Sequence, residues 1–244
     1  MPMIQIPDSE LTAYRAEPPG APKGAVVVIH EIWGLVDNIT SVADRFAAEG
    51  YLALAPDILT NAGVTPAVGQ ELHDLAMNLD AAARSAAQPL MREKLAASKD
   101  PAYGAWAVGQ LRKVLDYLAA QPGIEGRLAV TGFCFGGSYA FALAAADPRL
   151  KAAAPFYGAP PETADIAAIA CPVRAFYGGL DERLMESLPD VTRSMDTAGI
   201  DFESTVYPNA RHAFFNDTNP GTYDPAAADD AWSRVLEFFD ARLI

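Results

Sequence analysis

The chain has 244 residues, 51% of them apolar, and a formal charge of −13. That acidic balance excludes nucleic acid and anionic membrane surfaces as expected partners, since both need a basic face, and no apolar run approaches the ~18 residues that cross a bilayer. Two cysteines, and a start at Met1-Pro2-Met3-Ile4 without a basic then apolar leader, predict no disulfide framework and a reducing, cytoplasmic setting.

No Ser/Gly-rich or charge-rich linker divides the sequence, so one α/β domain over 1–244 is expected. Ala25–Ile29 is a five-residue apolar run rich in β-branched side chains, the pattern of a strand buried on both faces. Asn38 to Ala48 carries helical spacing through Ile39, Val42, Phe46 and Ala47 and stops at Gly50. Tyr51–Ala55 reads as the next strand, ended by Pro56-Asp57. The stretch 60–100 has helical composition punctuated by Gly63, Pro66, Gly69 and Pro89, and is expected to lie over the pocket. Further strands are predicted at 128–131, 152–157, 173–177 and 202–207, with helices at about 103–120, 138–146, 184–198 and 225–241. Strands alternating with helices imply a mostly parallel central sheet with helices on both faces.

The run Gly132-Phe133-Cys134-Phe135-Gly136-Gly137 falls between a predicted strand and a predicted helix. That layout is a nucleophile elbow, in which a sharp turn holds one side chain at the top of the sheet and flanking glycines admit close backbone approach. The nucleophile position carries Cys134 where most such turns carry serine. A cysteine nucleophile needs a base, a group that orients the base, and donors for a developing oxyanion. The chain has three histidines. His30 ends a strand and His73 lies in the 60–100 segment, whereas His212 follows the last predicted strand, where a base in this architecture belongs. Asp181 follows the strand 173–177, so the chain order Cys134, Asp181, His212 reproduces nucleophile, acid, histidine. All three sit just past the carboxyl ends of strands, where open parallel sheets place their ligands. The elbow also makes the backbone N–H of Phe135 an oxyanion donor. Cys171, before Pro172 and without a glycine frame, reads as structural.

His30-Glu31-Ile32-Trp33-Gly34-Leu35, Ala55-Pro56-Asp57, the cysteine elbow, Gly178-Gly179-Leu180-Asp181 and Arg211-His212-Ala213-Phe214 together resemble the dienelactone hydrolase family. The resemblance runs from about residue 23 to 240, weakest over 60–100. It implies a single-domain α/β-hydrolase acting on esters and lactones, with a small-molecule substrate and no metal or organic cofactor. It also implies that Glu31 holds the resting thiol until substrate displaces it, and that the Ile32 N–H is the second oxyanion donor. Trp33 and Tyr157 are candidate pocket walls, Tyr157 because it ends a strand beside the elbow. Members that bind a carboxylated lactone use arginines over the pocket and just after the catalytic histidine. Here Ala213 and Asn216 stand in that region, and asparagine supplies no bidentate fork for a carboxylate. Arg84, Arg92 and Arg211 are not placed by the sequence.

The resulting expectation is a cysteine-dependent ester or lactone hydrolase working through an acyl-enzyme, as a monomer or small homo-oligomer. Two rivals remain at this point: a general carboxylesterase or thioesterase, and a redox-sensing protein in which Cys134 is reversibly oxidised.

Overall fold

The computed structural model describes residues 3–78, 80–161 and 163–244. Among them, eight strands form one sheet: β1 (Met3–Gln5), β2 (Thr12–Ala16), β3 (Ala25–Ile29), β4 (Leu52–Pro56), β5 (Leu128–Phe133), β6 (Leu150–Phe156), β7 (Val173–Gly178) and β8 (Phe202–Tyr207), in the order β1-β2-β4-β3-β5-β6-β7-β8. β1, β2 and β4 pair antiparallel, and every pairing from β4 onward is parallel. β3, β4 and β5 are buried at every position, which is why they are continuous apolar runs and not alternating ones.

The helices are α1 (Asp37–Ala48), α2 (Pro66–Ala76), α3 (Ala81–Lys94), α4 (Pro101–Ala119), α5 (Phe135–Ala146), α6 (Thr163–Ile166), α7 (Glu182–Thr197) and α8 (Pro225–Leu243). Their starts follow from side-chain capping. Thr65, Asp80, Asp100 and Asp224 each accept a backbone N–H in the first turn, and Pro66, Pro101 and Pro225 stand where a helix has no N–H to lose. α5 packs on β3, β5 and β6 at the centre of the domain. No helix among the described residues is long and apolar enough to cross a membrane.

Two features differ from the sequence-based expectation. The β1–β2 hairpin was not anticipated, because its strands are short and partly exposed and lack the apolar run that marks β3. α5 begins at Phe135, three residues before the predicted start at Ser138, since the helix follows the elbow without a spacer. Within the 60–100 stretch, expected to be helical, the described residues include α2 and α3, with Pro89 inside α3. These two helices build a second apolar cluster from Leu59, Val64, Leu72, Ala87, Met91 and Leu95, and Ile32, Trp33 and Phe135 pack against it. The segment therefore covers the loop after β3 and the first residue of α5.

Candidate active site

Cys134 sits between β5 and α5 with φ 56° and ψ −112°, a conformation unfavourable for any residue with a Cβ. Such strain costs on the order of 1–3 kcal/mol and persists only when its surroundings dictate it. Here the surroundings are glycines. A Cβ on Gly136 would lie 2.3 Å from the Ile29 carbonyl oxygen and 2.5 Å from that of His30, so α5 can start hard against the end of β3 only with glycine there. The Cys134 N–H donates to the Phe156 carbonyl at 3.0 Å, tying the elbow to β6 as well.

Asp181 has two duties. It is the N-cap of α7, accepting the Leu184 N–H at 3.4 Å through Oδ1, and its Oδ2 receives the Nδ1–H of His212 at 2.5 Å. His212 is held from both sides. Gly178 allows the end of β7 to approach the 210–211 backbone, where a Cβ would sit 2.5 Å from the Arg211 carbonyl oxygen. Past the histidine, Phe214 and Phe215 are buried, Phe214 against Tyr157 and Tyr207, Phe215 against Phe133 and Phe156. His212 keeps part of its ring exposed and lies 5.0 Å from the Tyr157 ring.

Glu31, just after β3, is 2% exposed. Its carboxylate accepts Asn216 Nδ2–H at 2.7 Å on Oε2 and the Tyr157 hydroxyl at 3.3 Å on Oε1. Both donors are neutral, so burial dominates and lifts the carboxyl from its ordinary 4.5 to about 7. Burial also pushes the Cys134 thiol up to about 12, with the Glu31 charge adding to the rise, while the Phe135 N–H and the Arg183 charge oppose it. Both shifts favour the protonated form of the group concerned.

His30 is fully buried beside Glu31. Its Nε2 accepts the Ile58 N–H at 3.2 Å, which leaves Nδ1–H to donate to the Glu31 carbonyl at 2.7 Å. Burial lowers its pKa, so it stays neutral and pins the backbone of the 30–32 loop. Ile32 lies on that loop between His30 and the apolar cluster of α2 and α3, and Phe135 opens α5 immediately after Cys134.

The structure thus joins Asp181 to His212, and Glu31 to Tyr157, with Cys134 in the field of Glu31. Tyr157 is 1% exposed and aims its hydroxyl at Glu31. Trp33 faces away toward α2 and α3, lining a cavity of about 270 Å³ with Ala76, Met91, Arg92, Leu95 and Lys99. Sequence reasoning did not find Asn216 as a partner of Glu31. Its Oδ1 is occupied by Thr218, from both N–H at 3.0 Å and hydroxyl at 2.6 Å, so its amide hydrogens face the carboxylate. The Asn-x-Thr spacing of such a turn was the available signal.

The model of the dienelactone hydrolase family matches residues 11–243. Among curated relatives, a protein of Saccharolobus solfataricus named "Putative carboxymethylenebutenolidase" is 33% identical, covering 94% of this chain and 93% of its own. A protein of the same name from Escherichia coli K12 is 32% identical, with coverage of 94% and 82%. A "Putative Dienelactone Hydrolase" from Klebsiella pneumoniae superposes with a TM-score of 0.81 at 30% identity, over 98% of this chain and 97% of that one. A dienelactone hydrolase-like promiscuous phosphotriesterase from metagenomic libraries gives 0.69 at 25% identity, over 95% and 98%. A family match along nearly the whole chain, on this fold, makes the protein a hydrolase of ester bonds and a member of the dienelactone hydrolase family.

Proposed function

We propose that the protein hydrolyses carboxylic esters or lactones, of the dienelactone type, through a Cys134–His212–Asp181 triad and a thioester intermediate. The observation that carries this reading is the strained Cys134 at the β5–α5 elbow, with the buried Glu31 and Asp181 acting on its thiol and a histidine bonded to that aspartate at 2.5 Å. His212, its Nδ1–H committed to Asp181, has Nε2 free to take the thiol proton as Cys134 attacks the acyl carbon. The N–H groups of Ile32 and Phe135 receive the tetrahedral oxyanion, each well-aimed donor contributing about 3 kcal/mol to the lowered barrier. Collapse breaks the C–O bond, and the imidazolium protonates the leaving alkoxide or enolate. Water then attacks the thioester, giving its proton to His212. The acid departs, and the imidazolium returns the proton to the Cys134 thiolate.

Glu31 acts before the first step. Its charge opposes ionisation of the thiol in the empty site, so that the thiolate forms when substrate enters. An open thiolate is oxidised or alkylated readily, and activation on demand limits that loss.

The experiment is turnover of a dienelactone and of a small aryl ester by the wild-type protein. A marked preference for the strained enol-lactone supports the lactone reading. Equal or better turnover of the aryl ester moves the substrate class to general esters. If neither substrate turns over, the hydrolytic role of the site is lost.

A further inference from the structure

The Glu31 carboxylate is the inner end of a hydrogen-bonded chain that reaches helix α2. Read outward, Glu31 Oε2 accepts from Asn216 Nδ2 at 2.7 Å. Asn216 Oδ1 accepts from the Thr218 hydroxyl at 2.6 Å. The Thr218 oxygen faces His73 Nε2 at 3.4 Å. An amide oxygen has no hydrogen to give, so the Thr218 hydroxyl hydrogen is spent on Asn216. On the far side, His73 Nδ1 faces Asp74 Oδ1 at 3.4 Å. From Thr218 inward, the hydroxyl and amide hydrogens therefore point toward the one buried carboxylate. Donors aligned this way polarise one another and favour the charged form of the terminal acceptor.

We propose that Thr218 is a positioning residue that aims the Asn216 amide at Glu31 and thereby keeps the proton of the Cys134–Glu31 pair on the cysteine when the site is empty. The proposal rests on the reading of Cys134 and Glu31 as a working pair. The pair has two one-proton states: thiol with carboxylate, and thiolate with carboxylic acid. The donor chain stabilises the first and does nothing for the second. The order of the two groups, with the carboxyl near 7 and the thiol near 12, agrees with the first state being the resting one. The groups facing Cys134 are Glu31, Asp181 and Arg183, those facing Glu31 are Tyr157 and Asn216, and Asp74 faces His73. Of these, changing Thr218 touches only the Asn216 amide.

Removing the chain has a signed consequence. Below about pH 7 both groups are protonated, the carboxylate state is scarce, and loss of its stabilisation changes little. Above that, the thiol–carboxylate state dominates, and weakening it raises the thiolate fraction in proportion. Loss of the hydroxyl donor, with the Thr218 N–H still on Asn216 Oδ1 at 3.0 Å, corresponds to a rise of up to about fivefold. A site that had merely loosened would react faster at every pH.

The test is the pH profile of Cys134 alkylation by iodoacetamide, read by mass on the Cys134 peptide, with Cys171 as internal control. In Thr218→Val the rate rises by up to about fivefold at pH 8.5 and stays at the wild-type rate at pH 6. Thr218→Ser, which keeps the hydroxyl, returns the wild-type profile. Thr218 is exposed, so the valine variant retains the fold. An unchanged or slower rate in Thr218→Val, a rise at both pH values, or no rescue by serine overturns the proposal. Alkylation needs no turnover, so this result stands apart from whether Cys134 is the hydrolytic nucleophile, which ester turnover by Cys134→Ala decides.

Discussion

Replacing Asp181 separates its two duties. Asp181→Asn keeps an oxygen that can cap α7 at Leu184, because asparagine caps helices about as well as aspartate. It removes the charge that faces His212 Nδ1 and offers that nitrogen an amide, which permits the wrong tautomer. Asp181→Ala removes both. The cap bond is long at 3.4 Å, so its loss belongs at the low end of the usual range, about 0.5–1 kcal/mol. For a chain of this length that lowers the melting temperature by about 1–4 °C. Loss of the oriented, charge-supported base lowers kcat by roughly 10²–10⁴-fold in either variant. The assay pairs a thermal melt with steady-state ester hydrolysis. Asparagine is expected to melt with the wild type yet lose nearly all activity, whereas alanine loses activity to a similar degree and melts earlier. An asparagine variant with wild-type kcat would refute the assignment of Asp181 as the orienting acid, and an alanine variant as stable as asparagine would refute the cap.

Other perturbations give equally direct outcomes. The Glu31 carboxyl, raised from 4.5 to about 7, binds its proton more tightly folded than unfolded, so its contribution to stability is full below 4.5 and is lost as pH rises through 7. Glu31→Gln removes this dependence and gains on the wild type by up to roughly 3 kcal/mol between pH 5 and 8, measured by urea unfolding; a constant difference across that range contradicts the buried-carboxyl account. Gly136→Ala forces a Cβ to within 2.3 Å of the Ile29 carbonyl, so the elbow must shift. Destabilisation of about 1–3 kcal/mol and a fall in kcat of at least tenfold are expected from melts and kinetics, and a fully active variant would show that the elbow tolerates a side chain there. Gly69→Ala places a Cβ 1.7 Å from the Trp33 carbonyl oxygen and pushes α2 off the 31–36 loop. Ester turnover should fall through kcat with stability reduced by a similar ~1–3 kcal/mol, and unchanged kcat would mean that α2 does not support the loop.

The central sheet was legible because β3, β4 and β5 are buried on both faces and so write themselves as uninterrupted apolar runs. The elbow was legible because a positive φ at Cys134 and contacts as close as those of Gly132, Gly136 and Gly137 demand glycine at fixed offsets. Asp181 and His212 could be named by chain order alone, and the structure puts them in contact. The 60–100 segment resisted because each of its punctuating residues has a different cause. Pro66 opens α2 at a position with no N–H to lose, Gly69 admits the Trp33 carbonyl, and Pro89 lies inside α3. Asn216 was read by what it lacks, a guanidinium. The sequence carries no mark of depth, and it is depth, with Thr218 on its oxygen, that turns this amide toward Glu31. The tautomer of His30 was hidden for the same reason, since it depends on an Ile58 N–H that arrives from β4's far end.

The most direct test of the account is to trap the intermediate: mix the enzyme with an activated aryl ester, quench in acid within milliseconds, and locate the acyl group by mass. The account predicts a transient adduct on the peptide carrying Cys134, absent in Cys134→Ala, which also loses turnover. An acyl group on another residue, or a Cys134→Ala variant that hydrolyses the ester as fast as wild type, would contradict it.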